Sequence, residues 1–382
     1  MTAVYVPILK AKAGELAALM HLKDVAVEQI IPWFDISPIN DEKLEKLNGQ
    51  LFPPVESYLS GVAAEISTVW KSRKIFLDMP KWATNAQTEG GEHVIPFLRN
   101  QLASFRVSAD LVVDYVRWDD PVYANALRGA RVTGDCNFAL RLVMDSDTVE
   151  ELSEEEFFLE RLADISDTLD FDPALVMVMI DFGDISNEKH TMPDLVSKSE
   201  RAIDILKKAG FKIFRLAGCS LPAFISQSIK KQNSTGLVVR KEMGAWRTLI
   251  VQPGLELLGF SDYGIRGPNA KETGGASNAN GKIRYTIEKE IFIARGYPLT
   301  EGLKGAQHQE LARLVIKSGS WAGEKFSWGD KEILRCSEGA FSGNSSDWIA
   351  IDTNHHIHSV VREVIEYREL VAAKAARQPI KV

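Results

Sequence analysis

Cysteine is scarce: the 382 residues hold three, Cys136, Cys219 and Cys336. Their number is odd, their spacing wide, and no CxxC pair occurs. That excludes a disulfide framework and a thiolate zinc site, and points to a reducing cytoplasm. Long apolar runs are missing too, since none reaches the ~18 residues that span a bilayer. The opening MTAVYVPILKAKAGEL lacks a basic flank followed by a long apolar stretch, so it does not read as a signal peptide. There is no surplus of positive charge. Acids outnumber bases 52 to 45, for a net charge of −7. This argues against a general nucleic-acid binder, which needs a phosphate-neutralising surface, though a local basic groove stays open. No GxxxxGK[ST] loop, GxSxG elbow or GxGxxG unit is present.

What is present is alternation. Short runs rich in β-branched residues occur at Val4–Leu9, Ile30–Asp35, Ile75–Met79, Leu111–Arg117, Phe138–Asp145, Ala174–Asp181, Phe211–Ala217 and Leu257–Tyr263. Amphipathic stretches lie between them. Val55, Leu59, Val62, Ile66 and Val69 recur at three- and four-residue steps, which predicts a helix over Glu56–Trp70. Further helices are expected near Gly14–Leu22, Glu92–Phe105, Pro121–Arg128, Pro193–Ala209 and Pro222–Lys231. An acidic helix should open near Ser153, where a hydroxyl and three glutamates, Glu154, Glu155 and Glu156, suit a helix start. Eight strands alternating with helices predict an α/β fold, a TIM-like (βα)8 parallel barrel. The alternative is an open doubly wound sheet.

From Gly267 the character changes. GPNAKETGGASNANGK, residues 267–282, reads as a mobile loop, placed where it could close over the barrel as a lid. The expected division is a barrel over 1–267 and a C-terminal α+β extension over 268–382 packed on it. The extension should contain a strand-like run Ile283–Ile293, a helix near His308–Ile316, and a final helix through HSVVREVIEYRELVAAKAAR. FSWGD at 326–330 reads as a turn.

In a parallel barrel the functional face is formed by the carboxyl ends of the strands. Polar residues fall there: Lys10 after the first run, then Asp35, Asp78, Arg117, Asp145, Asp181, Arg215, and Asp262 with Tyr263. Strands buried on both faces should be apolar throughout, so these ends need an explanation. Clustered carboxylates could hold Mg²⁺ or another divalent cation, or a pair could serve as general acid and base. On this reading Asp78, Asp181, Asp262, Arg117 and Arg215 carry chemistry, the arginines clamping a phosphate or carboxylate. Lys10, Asp35, Asp145, Tyr263, Arg240 and Glu242 line the substrate pocket. The competing explanation is that each aspartate caps the turn after its strand.

Arg141 and Asp114 lie mid-strand on neighbouring runs and are expected to form an ion pair inside the barrel. Arg240 to Trp246 either lines the pocket rim or is a helix start with one buried tryptophan. Cys219 reads as a packing residue. His355, His356 and His358 form a local cluster, for which hydrogen bonding or exposure is the commoner outcome than metal binding.

YVPILKAKAGELAALMHL followed by IIPWFDI resembles the opening of the Beta protein family. The segment Arg240–Trp246, FSDYG at 260–264, FSWGDKEILRC and DWIAIDTNHHIHSVV extend the resemblance over nearly the whole chain. The resemblance implies a place in anti-phage defence or a toxin–antitoxin-like system, beside a nuclease-like or toxic protein encoded nearby. It implies no reaction and no catalytic residues. Two functions are therefore expected in competition. One is a regulatory barrel that docks a protein partner, either on the acidic stretch Asp145–Asp172, with Arg161 its single base, or on the C-terminal extension. The other is a metal-assisted hydrolase acting on a phosphate-bearing or nucleotide-like substrate.

Overall fold

The computed structural model describes residues 3–40, 44–45, 53–133, 136–270, 280–301 and 304–377. Its first seven strands are β1 (Tyr5–Leu9), β2 (Trp33–Asp35), β3 (Lys74–Asp78), β4 (Ser108–Asp114), β5 (Phe138–Val143), β6 (Met177–Asp184) and β7 (Ile213–Cys219). A strand β8 (Ser234–Val239) then leaves the series, and β9 (Gly259–Asp262) returns to it. The strands β1 to β7 and β9 are parallel and close into a barrel, β9 pairing back on β1. This is the expected TIM-like fold, and the closure rules out the open sheet.

Helices α1 (Ala13–Met20), α2 (Pro54–Trp70), α3 (Val94–Ser104), α4 (Pro121–Thr133), α5 (Ser146–Glu151), α6 (Glu155–Leu169), α7 (Met192–Lys208) and α8 (Lys241–Leu249) accompany the barrel strands. Three local expectations change. Strand β4 stops at Asp114, because its carboxylate accepts from the amides of Val116 and Arg117 and turns the chain into a single 3-10 turn. The helix expected at Pro222–Lys231 is one 3-10 turn, Ile225–Gln227. The acidic helix α6 does begin near Ser153, at Glu155, but Glu154 and not the serine holds its N-cap position, and a separate short helix, α5, comes first, with Asp145 capping the Thr148 amide at 2.9 Å.

The strands divide by parity, as alternation requires. Tyr5, Leu9, Phe34, Leu77, Leu111, Leu140, Val178, Leu216 and Phe260 face outward into the main core. Val6, Ile8, Trp33, Phe76, Val112, Ala139, Met177, Met179 and Ala217 fill the barrel interior. Parity therefore decides on which side of the wall each polar residue of a strand stands.

The run expected at Ile283–Ile293 is two antiparallel strands, β10 (Asn280–Ile287) and β11 (Glu290–Pro298), with Lys289 at a φ of 54° in the turn. Strand β8 joins them in the order β10–β11–β8. One face of this sheet, through Ile283, Tyr285 and Ala294, packs with helices α9 (His308–Lys317), α10 (Trp328–Ser337) and α11 (Ser345–Arg377). The other face, through Val238, Ile291 and Ile293, packs on Cys219, Leu221, Ile225, Ile229 and Ile265 at the carboxyl end of the barrel. FSWGD is a helix start, with the Ser327 hydroxyl accepting from the Asp330 amide. Of the segment 267–282, residues 271–279 lie outside the described part. Its beginning passes over the mouth, where Lys10 and Lys81 donate to the Pro268 carbonyl and Asn269 donates to Asp184 at 2.9 Å. No helix among the described residues is long and apolar enough to cross a membrane.

Candidate active site at the barrel mouth

Arg141 stands on β5 at the inward parity, one layer below the carboxyl rim. Its guanidinium gathers the rim. NH1 donates to Asp78 at 2.7 Å and to Asp35 at 2.9 Å. Nε and NH2 donate to one oxygen of Asp181 at 2.9 and 2.7 Å, and NH2 also reaches the Tyr263 hydroxyl at 2.6 Å. Tyr263 in turn donates to Asp181 at 2.5 Å. Backbone and indole groups fix the carboxylates from behind: Met79 N on Asp78, Gly183 N on Asp181, and Trp33 Nε1 on Asp35. The pair expected between Arg141 and Asp114 does not form. The two are register partners, but Asp114 is engaged by the amides that end its strand.

One guanidinium thus serves three carboxylates. Burial disfavours the charge of Asp35 and Asp78, and Arg141 only partly offsets it. Burial pushes the Asp35 carboxyl up to about 6; Arg141 opposes the rise, and Asp78 and Asp181 add to it. Asp78 is raised for the same first reason. Burial raises the Tyr263 phenol as well, so it serves as a donor. Asp35 is the carboxylate with access: its side chain is 14% exposed, against 1% for Asp78 and for Asp181.

The remaining rim candidates stand elsewhere. Asp262 has the outward parity and points through the wall to a second polar cluster. Tyr5 donates to it at 2.5 Å, His356 Nε2 lies 3.1 Å from both its oxygens, and Arg240 NH2 reaches it at 3.2 Å. Burial alone would raise the Asp262 carboxyl, but His356 and Arg240 hold it well below the usual carboxylate range. Arg240 is fully buried and also binds Glu363 at 2.6 Å. Glu242 takes the Ser220 hydroxyl at 2.5 Å, and burial pushes it to about 7. Arg240 and Glu242 therefore form part of a seam joining β1, β9, α8 and α11, and Trp246 beside them is buried as well.

Arg117 donates to the carbonyls of Met79 and Trp82 and stacks over Tyr123, which makes it a brace between loops. Arg215 has the inward parity but sits at the amino end of β7. It donates to the carbonyls of Ala3, Val4 and Phe260, closing the barrel floor. Asp145 caps α5. Lys10 does reach the mouth, where it holds the Pro268 and Ala270 carbonyls. The structure thus brings together Asp35, Asp78, Asp181 and Tyr263, with Lys10 at the rim, and separates Asp262, Arg240, Glu242, Arg117, Arg215 and Asp145 from them. Arg141 is the member that rim reasoning missed; an arginine in mid-strand was its visible signal.

The three histidines lie on helix α11 and so face different networks. His355 Nδ1 meets Asp330 at 2.8 Å and its Nε2 meets the Thr286 carbonyl at 2.8 Å. Both ring nitrogens are therefore engaged by the surrounding structure. Ser359, at 3.1 Å from Nε2, completes a serine–histidine–aspartate row that lacks a free base. His356 binds Asp262, and His358 donates from Nδ1 to the Asn354 carbonyl. Among the described residues no group of three or more His, Cys, Asp or Glu side chains is arranged to hold a metal ion. At the mouth the reason is visible, because Arg141 occupies the space between the carboxylates.

Fold and site together define a closed α/β barrel with a charged carboxyl mouth, partly overlain by its own C-terminal sheet. The chain belongs to the Beta protein family, whose model matches residues 5–362. No curated protein matches it.

Proposed function

We propose that the barrel mouth is an acid–base site for a small polar substrate, with Asp35 exchanging the proton. One observation carries this reading. Asp35 is the accessible carboxylate of an over-acidic buried cluster, and its pKa of about 6 lies close to neutral pH. A general acid or base works best when its pKa is near the working pH. A cluster with three carboxylates for one guanidinium also costs stability, which favours a functional origin over a structural one. Arg141 orients Asp35, and Asp78, Asp181 and Tyr263 hold Arg141. The metal-assisted version of the hydrolase is less well supported, since the oxygens a cation would use already face the guanidinium. The test is to incubate wild type and Asp35→Asn with a fractionated metabolite extract and follow its compounds by mass spectrometry. A compound consumed by wild type and spared by Asp35→Asn supports the reading. If no compound changes with wild type, or both proteins act alike, it fails.

A second reading rests on a different surface. Asp145, Asp147, Glu150, Glu154, Glu156 and Glu160 are exposed along α5 and α6, with Phe157 49% exposed among them. Arg161, the base in this stretch, is engaged by Asp119 and Glu151. Such a face suits a basic protein partner. A regulatory role in anti-phage defence or a toxin–antitoxin-like system, which the family resemblance implies, would use it. Reversing four of these charges should abolish a complex with a basic protein encoded beside this one; unchanged binding would remove this reading.

A further inference from the structure

The turns that enter β3 and β4 lie side by side at the amino end of the barrel. The Ser72 amide donates to the Arg106 carbonyl at 2.8 Å, and the Ser108 amide to the Arg73 carbonyl at 3.1 Å. Each turn holds a non-glycine residue in the left-handed region, Ser72 at a φ of 59° and Arg106 at 63°, which such residues adopt only at a cost. The paired turns present Lys71, Arg73, Lys74 and Arg106, all exposed. Arg128 is exposed on the neighbouring helix α4, toward the same end. Phe105, 37% exposed, stands beside Arg106.

Little negative charge answers these bases. Asp110 is the buried carboxylate at this corner, and Lys74 takes it at 2.5 Å. Arg73 lies over the Trp70 ring, 5.2 Å from its centroid. Among the described residues the side chains of Lys71, Arg106 and Arg128 have no hydrogen-bond or ion-pair partner. The patch has an edge: Arg131 donates to the Cys136 and Asp170 carbonyls, and the turn entering β6 is acidic, with Asp170 and Asp172 exposed. Asp135 lies outside the described residues. In a chain of net charge −7, bases gathered at one corner make a positive field that the overall charge conceals.

We propose that this corner binds the phosphate backbone of a single-stranded nucleic acid. Lysines and arginines on phosphates release counterions, and an exposed ring beside an arginine offers a base a stacking surface. An anionic bilayer is the other polyanion a basic patch attracts. Docking there uses an amphipathic helix with a broad apolar face, whereas this corner offers the tips of Phe105 and Val132. The patch lies at the opposite end of the barrel from Asp35, so it does not rest on the acid–base reading.

The test is fluorescence anisotropy with labelled, mixed-sequence single strands of DNA and of RNA, at increasing potassium chloride. Wild type should bind at least one of them, more weakly as salt rises, and a preference for RNA would show that the 2′-hydroxyl is read. Arg73→Glu combined with Arg106→Glu should weaken binding about tenfold or more and lower the slope of log affinity against log salt by about 1.4, two phosphate contacts at about 0.7 each. Lys230→Glu combined with Lys231→Glu changes the net charge equally at exposed residues elsewhere, and should bind as wild type does. Asp35→Asn should also bind as wild type does, so failure of the acid–base reading would not register here. The proposal is overturned if wild type binds neither strand at low salt, or if the two charge reversals weaken binding equally. Capture by vesicles of phosphatidylglycerol and phosphatidylcholine, with neither strand bound, overturns it in favour of a lipid surface. Should the Arg73 and Arg106 variant not fold by circular dichroism, Lys71→Glu combined with Arg128→Glu decides by the same comparison.

Discussion

Asp262 and Tyr263 are consecutive, and they serve opposite sides of the barrel wall. Tyr263 turns inward and donates to Asp181 at 2.5 Å, while Asp262 turns outward and meets His356 of the C-terminal helix at 3.1 Å. The end of β9 thus joins the candidate chemistry to the contact that holds α11 in place. Sequence proximity makes the two look like one site, and alternation separates them.

That separation predicts different consequences. Asp262→Asn removes the charge that His356 and Arg240 share, and should destabilise the fold by about 3 kcal/mol, the scale for breaking a buried pair. The folded pKa of Asp262 lies below its unfolded value of about 4. Its contribution is therefore complete above pH ~4 and is lost only as the pH falls through the lower, folded value. Urea unfolding at pH 7 should show the loss. Tyr263→Phe should cost about 1 kcal/mol and act on the mouth instead, changing turnover or ligand binding there. Equal stability losses in the two variants would contradict the division.

Asp35 should show the opposite sign. Its folded pKa, about 6, lies above the unfolded value of about 4. The penalty for ionising it is absent below pH ~4, grows as the pH rises between the two values, and is fully present above the folded one. Asp35→Asn mimics the protonated acid. It should therefore be more stable than wild type at pH 7.5 and indistinguishable from it at pH 4, while losing whatever the mouth does. Greater stability with lost function is expected of a residue kept for chemistry. A variant less stable than wild type at pH 7.5 would mark Asp35 as structural.

Arg141 is the counterpart. Arg141→Met leaves Asp35, Asp78 and Asp181 buried without their cation, at a cost of about 3–5 kcal/mol at neutral pH. Asp35 and Asp78, which Arg141 holds down, can then take up protons, so the deficit should shrink as the pH is lowered toward 5. Chemical denaturation at several pH values measures the slope. A deficit independent of pH would mean that Arg141 matters for packing alone.

The barrel was legible because strands covered on both faces are apolar throughout, and eight such runs stand between helices. The rim residues were legible as types and less so as directions. Asp35, Asp78 and Asp181 share the inward parity of Trp33, Phe76 and Met179, whereas Asp262 follows Phe260 outward. Counting alternation from each strand would have separated them. Arg117 depended on a boundary, since a strand read three residues too long turns a loop brace into a rim arginine. The pairing of β8 with β11, Val238 beside Ile291, was not legible. It joins segments some fifty residues apart, and local periodicity carries no information about which edge a strand meets. The destination of Arg141 was hidden for a related reason: its register partner is Asp114, but a long side chain reaches beyond its neighbour to the rim.

Arg215 offers a final test of which arginine belongs to the site. It sits on the barrel floor bound only to carbonyls, and burial lowers its pKa to about 9. A base whose folded pKa lies below the unfolded one carries a penalty at neutral pH that is relieved as the pH rises above the folded value. Arg215→Met loses hydrogen bonds but removes that penalty, so its net cost should stay below that of Arg141→Met, and the mouth should work unchanged. The side chain also explains Gly259, where an added Cβ would stand 2.6 Å from Arg215 Cγ. Gly259→Ala should therefore destabilise wild type and be tolerated in an Arg215→Ala background, which has no Cγ. A double-mutant cycle in urea measures the coupling, expected at about 1 kcal/mol or more. Additive losses would show that the glycine serves the backbone alone, and altered chemistry in Arg215→Met would return this arginine to the candidate site.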